Sequence, residues 1–213
     1  MDTRKITVGG VLQEGFGIGL KNAPSLVAAA ALWILTCWIP YLNVGTTIAI
    51  SMIPIELAKG KIISPLFIFD AKYRKYMGEY FTLMGLMMMA IVPALFFMVI
   101  PGYVIAISWS LALYIMLDKG VAPGEALIRS NKATYGYKWA IFFINLVIVV
   151  AMYILVFVFS LIPFLGPLLV LATVICFMPV LLGCSSVIYK NLTSDAPEGN
   201  SEPAPVVNED PAM

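Results

Sequence analysis

The chain has 213 residues, of which 61% are hydrophobic and 12% are charged, with a mean hydropathy of +0.95 and a formal net charge of +1. A soluble domain carries roughly twice that charged fraction, so the composition excludes an ordinary soluble globular protein. Charge-free stretches cover residues 22–55, 80–117 and 139–189. Each exceeds the roughly 17 to 25 apolar residues that cross a bilayer, which predicts an integral membrane protein.

The N-terminal segment is predicted to form a surface helix rather than a cleaved leader. Val8, Leu12, Phe16 and Leu20 recur at four-residue spacing, which is the pattern of an amphipathic helix. Residues 1–20 lack an uninterrupted apolar core, and no small-residue cleavage site follows the first apolar stretch. We therefore expect no signal peptide.

A proline near the middle of each charge-free stretch predicts a turn, because proline lacks an amide donor and clashes within a helix. These residues are Pro40, Pro101 and Pro163. We therefore predict an all-α fold with one transmembrane domain over residues 1–190, in which six transmembrane helices pair as three hairpins. The segment at 44–58 is short and contains a proline. It either crosses the membrane, as a kinked or tilted helix, or re-enters the membrane from the same face. The predicted spans are 23–39, 44–58, 80–100, 102–117, 139–162 and 166–189.

Six spans place all 13 Lys and Arg residues on one face of the membrane. Cytoplasmic loops carry the excess of basic residues, so we expect a multi-pass membrane protein with both termini in the cytoplasm. The same spacing of 13 residues separates Pro65 from Gly78 and Pro123 from Gly136, which predicts short amphipathic helices on the cytoplasmic face. These helices either bind anionic lipid headgroups or only cap the bundle. The basic residues expected to contact lipid are Lys72, Arg74, Lys75, Arg129, Lys132 and Lys138.

The C-terminal residues 191–213 differ from the rest of the chain in composition. They are rich in Pro, Glu, Asn and Ala, and they contain too few apolar residues to form a core. We predict a disordered, acidic cytoplasmic tail. The sequence leaves open whether this tail folds back over the basic face or stays extended.

Three motifs follow one another between residues 65 and 146: Ile100-Pro101-Gly102, then Ala126-Leu127 with Ser130, then Gly136 with Trp139. This order resembles the bacterial six-helix membrane proteins of unknown function with the pattern IPG…ALxxS…GxxW. It is also similar to the membrane domain attached to some glycerophosphoryl diester phosphodiesterases. The resemblance implies a fold and a location in the bacterial inner (plasma) membrane. It implies little about activity, and no hydrolytic chemistry carries over from it. Ala126 and Ser130 are small and four residues apart, so we expect them to seat a surface helix on the bundle or, alternatively, to contact a ligand.

The sequence offers no groups suited to catalysis. It has no histidine, its three cysteines lack the spacing of metal ligands, and no acidic residue lies deep within a predicted span. We therefore expect no catalytic residue, no metal, no cofactor and no enzymatic activity. Without ionisable groups in the membrane, ion-coupled transport is also disfavoured. Polar residues that either line a cavity or form hydrogen bonds between helices are Thr47, Ser51, Ser108, Ser110 and Asn145.

Two functional hypotheses remain. The first is a membrane protein without catalytic chemistry that acts as a scaffold, an accessory subunit or a lipid-interacting factor. Its expected partners are anionic membrane lipids and a second membrane protein, with no nucleic acid. The alternative is an uncoupled transporter or lipid permease with a cavity between the hairpins. Convergence of the polar residues on one cavity would favour transport, and pairing with neighbouring helices would favour the first hypothesis.

Overall fold

The computed structural model describes residues 6–194, and these residues form helices without any strand. Two short 3-10 segments, Pro65–Phe69 and Ala71–Tyr76, lie between the third and fourth α-helices. The predicted all-α class is therefore confirmed for the described part of the chain. The helices are α1 (Val8–Lys21), α2 (Ala23–Thr36), α3 (Leu42–Ala58), α4 (Met77–Phe97), α5 (Val99–Ser108), α6 (Ala112–Lys119), α7 (Pro123–Thr134), α8 (Lys138–Ser160) and α9 (Gly166–Thr193).

Four helical segments are long and apolar enough to cross a membrane: Ala71–Phe97, Val99–Lys119, Lys138–Ser160 and Gly166–Thr193. Helices α1 and α2 pass the same test only as a pair, and they are bent by 81° where they meet, so the number rises to five at most. Helix α3 is shorter, with 17 residues. The structure thus supports a membrane-spanning protein with four or five such helices, and the predicted count of six is not confirmed.

Helix ends differ from the predicted boundaries at two places. The predicted span 102–117 is interrupted, because α5 ends at Ser108 and α6 begins at Ala112. Helix α9 continues to Thr193, so the predicted start of the tail at residue 191 falls inside a helix. The helix continues because Leu192 is only 5% exposed and packs into the core. The rest of the predicted tail, residues 195–213, lies outside the described residues.

The two ends of α3 meet different basic segments. At its C-terminal end, Lys59 binds Asp118 of α6, with 2.5 Å between Nζ and Oδ1. At its N-terminal end, the side chain of Arg74 lies against Gly45 and over the ring of Tyr41, at 5.9 Å from the ring centroid. Because 17 helical residues extend about 25 Å, the chain after Lys59 must return along the length of α3.

This path conflicts with one prediction. Six spans put the turn before α3 on the opposite face of the membrane from Arg74, whereas Arg74 contacts Tyr41 in that turn. A bilayer-crossing α3 would separate Arg74 from Lys59, since these two residues lie at its two ends. A membrane-spanning α3 and the placement of all cations on one face therefore exclude each other.

Glycine allows α1 to pack closely against α9. A β-carbon added to Gly19 would lie 2.5 Å from the carbonyl oxygen of Pro179, and one added to Gly15 would lie 2.7 Å from the Cα of Cys184. One added to Gly183 would collide with the backbone of Gly15. Close approach through small residues is how helices pack tightly when apolar burial drives them only weakly. These glycines therefore hold α1 on the C-terminal half of α9.

Candidate lipid-binding surface

The segment between α3 and α4 forms a basic, aromatic surface, called here the basic strip (residues 66–76). Pro65 is the first residue of one 3-10 turn, where its fixed φ is compatible with helical backbone. The side chain of Asp70 starts the next turn by accepting a hydrogen bond of 3.0 Å from the backbone N–H of Lys72. Tyr73 is 1% exposed and anchors the strip in the core, whereas Leu66 is 68% exposed. An anchored segment thus presents apolar and charged side chains together.

Each cation of the basic strip lies over an aromatic ring. Lys72 Nζ is 4.9 Å from the ring centroid of Tyr73, and Lys75 Nζ is 4.8 Å from that of Tyr76. Such contacts contribute about 0.5–1 kcal/mol at exposed sites, and they leave the charged groups accessible. Lys72 also pairs with Asp70 at 2.8 Å, and this hydrogen bond lowers the pKa of the Asp70 carboxyl below its ordinary value. The other two predicted cations of the strip, Arg74 and Lys75, make no ion pair with any described residue.

The remaining predicted lipid contacts lie on α7 and at the start of α8. Arg129 pairs with Glu125 at 2.5 Å within α7, which compensates its charge. Lys138 Nζ lies 3.4 Å from Oδ1 of Asn131, and Lys132 is exposed. Within this second group only Arg129 has its charge compensated by a described carboxylate.

Two of the predicted cavity residues, Thr47 and Ser51, belong to the contact between α2 and α3. The Thr47 hydroxyl accepts a hydrogen bond of 3.0 Å from the indole N–H of Trp33 and donates one of 3.1 Å to Asn43 Oδ1. The Ser51 hydroxyl donates to the carbonyl of Thr47 at 2.9 Å. These hydroxyl groups bridge two helices or bond to their own helix.

Ser108 lies at the break between α5 and α6, where α7 covers it. The hydroxyls of Ser130 and Thr134 both donate to the Ser108 carbonyl, at 2.7 and 3.2 Å. Ser130 also accepts a hydrogen bond of 3.2 Å from the backbone N–H of Leu111. The backbone groups that the break leaves without helical partners are thereby satisfied. Ala126 and Ser130 are both 0% exposed, so the prediction that they seat a surface helix is confirmed.

The last two predicted cavity residues also have separate environments. Ser110 donates a hydrogen bond of 2.8 Å to the carbonyl of Ile107 in the preceding turn. Asn145 is exposed on the outer surface of α8, and its amide makes no hydrogen bond with the described residues. None of the five predicted residues lines the crevice described below, and the prediction that they share a cavity stays a prediction.

A network that the sequence did not predict connects three helix ends. Asp118 binds Lys59 and also accepts a hydrogen bond of 2.5 Å from the hydroxyl of Tyr189. Burial acts to lower the pKa of Lys59, but the hydrogen bonds and charges of Asp118 and Glu56 together outweigh it and raise that pKa above its ordinary value. The network holds the C-terminal ends of α3, α6 and α9 together, so these ends lie on the same side of the molecule. No sequence pattern indicated this network, because through-space neighbours from distant helices leave no local pattern.

A second unpredicted feature is a crevice of about 170 Å³ beside this network. It is lined by three lysines from three separate parts of the chain, Lys21, Lys61 and Lys190, together with Asn22 and Ser186. A signal for it existed in the sequence, since Lys21 and Lys190 directly flank charge-free stretches. We call this feature the lysine crevice.

The described residues contain no group of three or more His, Cys, Asp or Glu side chains that could hold a metal ion. The cysteines Cys37, Cys176 and Cys184 are free thiols, and Cys184 is buried under α1 with its sulfur 3.8 Å from the carbonyl oxygen of Val11. The burial of Cys184 indicates a packing residue.

The fold and its surface define a class: a helical protein with four or five helices able to cross a membrane and a basic strip at the start of α4. No family model matches the chain, and neither a curated protein nor a solved structure matches it. The resemblance carried by Ile100-Pro101-Gly102, Ala126 with Ser130 and Gly136 with Trp139 therefore stays a prediction.

Proposed function

We propose that this chain is an integral membrane protein without catalytic chemistry that binds anionic lipid at its cytoplasmic face. The basic strip carries this proposal. It combines exposed cations on aromatic rings with exposed apolar side chains such as Leu66, directly before the apolar helix α4. Segments with this composition lie at the headgroup level and attract anionic lipid by roughly 1 kcal/mol per cation near the surface.

The proposed topology has four spans in the bacterial inner membrane, with both termini in the cytoplasm. An even number of spans keeps the ends of α6 and α9, and the starts of α4 and α8, on one face. Helices α2 and α3 then lie on the cytoplasmic side. This placement accommodates the contact of Arg74 with Tyr41 and the pairing of Lys59 with Asp118 at the two ends of α3.

The role proposed for the lipid-bound protein is that of a scaffold or accessory subunit for another membrane component. The pairing of Thr47, Ser51 and Ser108 with their own or neighbouring helices supports this role over an uncoupled transporter. Lipid entropy and interhelical hydrogen bonds drive association in the bilayer, so an exposed polar group such as Asn145 favours a membrane partner.

Reversing the charge of Lys72, Arg74 and Lys75 together is expected to remove most of the anionic lipid that co-purifies with the protein, since the attraction becomes repulsion. The measurement is gentle extraction with surrounding native lipid, followed by mass spectrometry of everything that stays bound. The matched control exchanges the same residues for the other basic residue (Lys72→Arg, Arg74→Lys and Lys75→Arg) and should retain the lipid. Unchanged lipid content after charge reversal would contradict the proposal. A small solute bound in place of lipid would instead favour an uncoupled transporter.

Single cysteines at Trp38 and Leu161, in a cysteine-free background, test the topology. Trp38 is 89% exposed in the turn between α2 and α3, and Leu161 is 67% exposed in the turn between α8 and α9. With four spans, a membrane-impermeant thiol reagent added outside intact cells should label Leu161→Cys and leave Trp38→Cys unlabelled. Labelling of both from outside would establish six spans and refute the proposed placement of α2 and α3.

A further inference from the structure

The lysine crevice brings together side chains that are far apart in the chain. Lys21 ends α1, Lys61 follows α3, and Lys190 lies in the last turns of α9, beside Ser186. Three like charges converge there, although like charges repel unless an anion or a carboxylate compensates them. Glu56 and Glu14 are the described carboxylates that pair with lysines of the crevice.

Two of the three lysines have acidic partners. Lys61 pairs with Glu56 at 2.5 Å, and Lys190 lies 3.9 Å from Glu14. Lys21 forms no ion pair with the described part of the chain. The crevice therefore retains one uncompensated positive charge, which matches a singly charged anion.

A buried amide oxygen beside these lysines lacks a hydrogen-bond donor among the described residues. Asn22 lines the crevice and is 7% exposed, and its Nδ2 donates a hydrogen bond of 3.1 Å to the carbonyl of Ile18. Its Oδ1 is buried and accepts no hydrogen bond from the described residues. Because the Nδ2 bond fixes the orientation of the amide, the free position is an acceptor, which requires a donor such as a hydroxyl group.

Positive charge from Lys21 and the unpaired acceptor of Asn22 thus lie on adjacent residues in the lining of the crevice.

We propose that the lysine crevice binds a phosphodiester that carries a hydroxyl group, as in the headgroup of a hydroxyl-bearing anionic phospholipid. The single phosphate charge compensates Lys21, and the hydroxyl donates to Oδ1 of Asn22. Ile62, which lines the crevice and is 80% exposed, offers an apolar surface to the adjoining acyl chains. This inference rests on the proposed lipid-binding function and assigns it a headgroup-specific site separate from the basic strip.

The test compares two lipids of equal charge, phosphatidylglycerol and phosphatidylethanol, of which only the first has headgroup hydroxyls. Lipid retained by the purified full chain is measured by native mass spectrometry after exchange from mixed micelles. The wild type is expected to prefer phosphatidylglycerol by about fivefold, the ratio given by one net hydrogen bond. Asn22→Leu should abolish the preference while phosphatidylethanol still binds, and Lys21→Gln should weaken both lipids. Equal retention of the two lipids by the wild type would overturn the inference.

Two further arms separate the possible causes of a negative or shifted result. Asn22→Asp keeps an acceptor and adds a negative charge, so it should weaken both lipids even if Asn22→Leu fails to fold. Charge reversal of the basic strip should lower total anionic lipid and leave the headgroup preference intact, so the two proposals fail separately. Glycerol phosphate and inorganic phosphate in solution should not displace phosphatidylglycerol. Displacement of phosphatidylglycerol by either solute would overturn the lipid assignment and would indicate that the site binds a soluble phosphate compound.

Discussion

Replacing Gly19 with leucine is expected to displace α1 from α9 and to destabilise the protein by about 1–3 kcal/mol, the usual cost of overpacking a tight contact. A β-carbon at this position would lie 2.5 Å from the carbonyl oxygen of Pro179, which is backbone and cannot rotate away. The matched control is Gly17→Leu on the same helix, since a β-carbon there meets nothing within 4 Å.

The reactivity of Cys184 measures this displacement directly. Its thiol is 2% exposed beneath α1, so it should react slowly with a maleimide in a background that lacks Cys37 and Cys176. Gly19→Leu should accelerate the reaction, and Gly17→Leu should leave the rate close to that of the parent. Equal rates for the two variants would contradict the packing of α1 on α9.

The second large effect on stability is expected from Ser130→Ala. This substitution removes the hydroxyl that forms hydrogen bonds with backbone groups at the break between α5 and α6. The buried N–H of Leu111 would lose its acceptor at 3.2 Å, and such a loss costs about 1–3 kcal/mol. The Ser108 carbonyl would keep Thr134 as a hydrogen-bond donor. Adding Thr134→Val to Ser130→Ala should therefore lower the stability further. The control is Ser110→Ala, because that hydroxyl bonds only to a carbonyl one turn back in the chain.

Thermal unfolding in detergent and amide hydrogen exchange report on this substitution separately. Ser130→Ala should lower the midpoint of unfolding and speed exchange at Leu111, whereas Ser110→Ala should change neither appreciably. If exchange at Leu111 were unaffected, α7 would not cap the break and the assignment of Ser130 would be wrong.

Local patterns were sufficient for the helices and for several small residues. The prolines that interrupt the charge-free stretches predicted the helix ends near residues 40, 101 and 163 to within a few residues. The pair Ala126 and Ser130 was assigned to packing because small residues four apart share one face of a helix. Both side chains are fully buried against the bundle.

The candidate sites were less predictable. The basic strip is one short segment, and its cations Arg74 and Lys75 were predicted to contact lipid because they fall in a predicted amphipathic surface helix. The lysine crevice was missed, since Lys21, Lys61 and Lys190 become neighbours only through the packing of α1, α3 and α9. For the polar residues of the spans the sequence left open a common cavity or hydrogen bonds between helices, and the structure shows such a bond at Thr47.

What the sequence determined by itself is the class of the chain, because the length of its charge-free stretches and the residues that interrupt them act locally through hydropathy and backbone geometry. Only the tertiary structure decided which stretches form long helices and what α3 contacts. A hydropathy pattern is the same for a hairpin that crosses the bilayer and for one that lies on its surface. The proposed surface placement of α3 rests on the contacts of Arg74 with Tyr41 and of Lys59 with Asp118, since each contact brings together residues from distant parts of the chain.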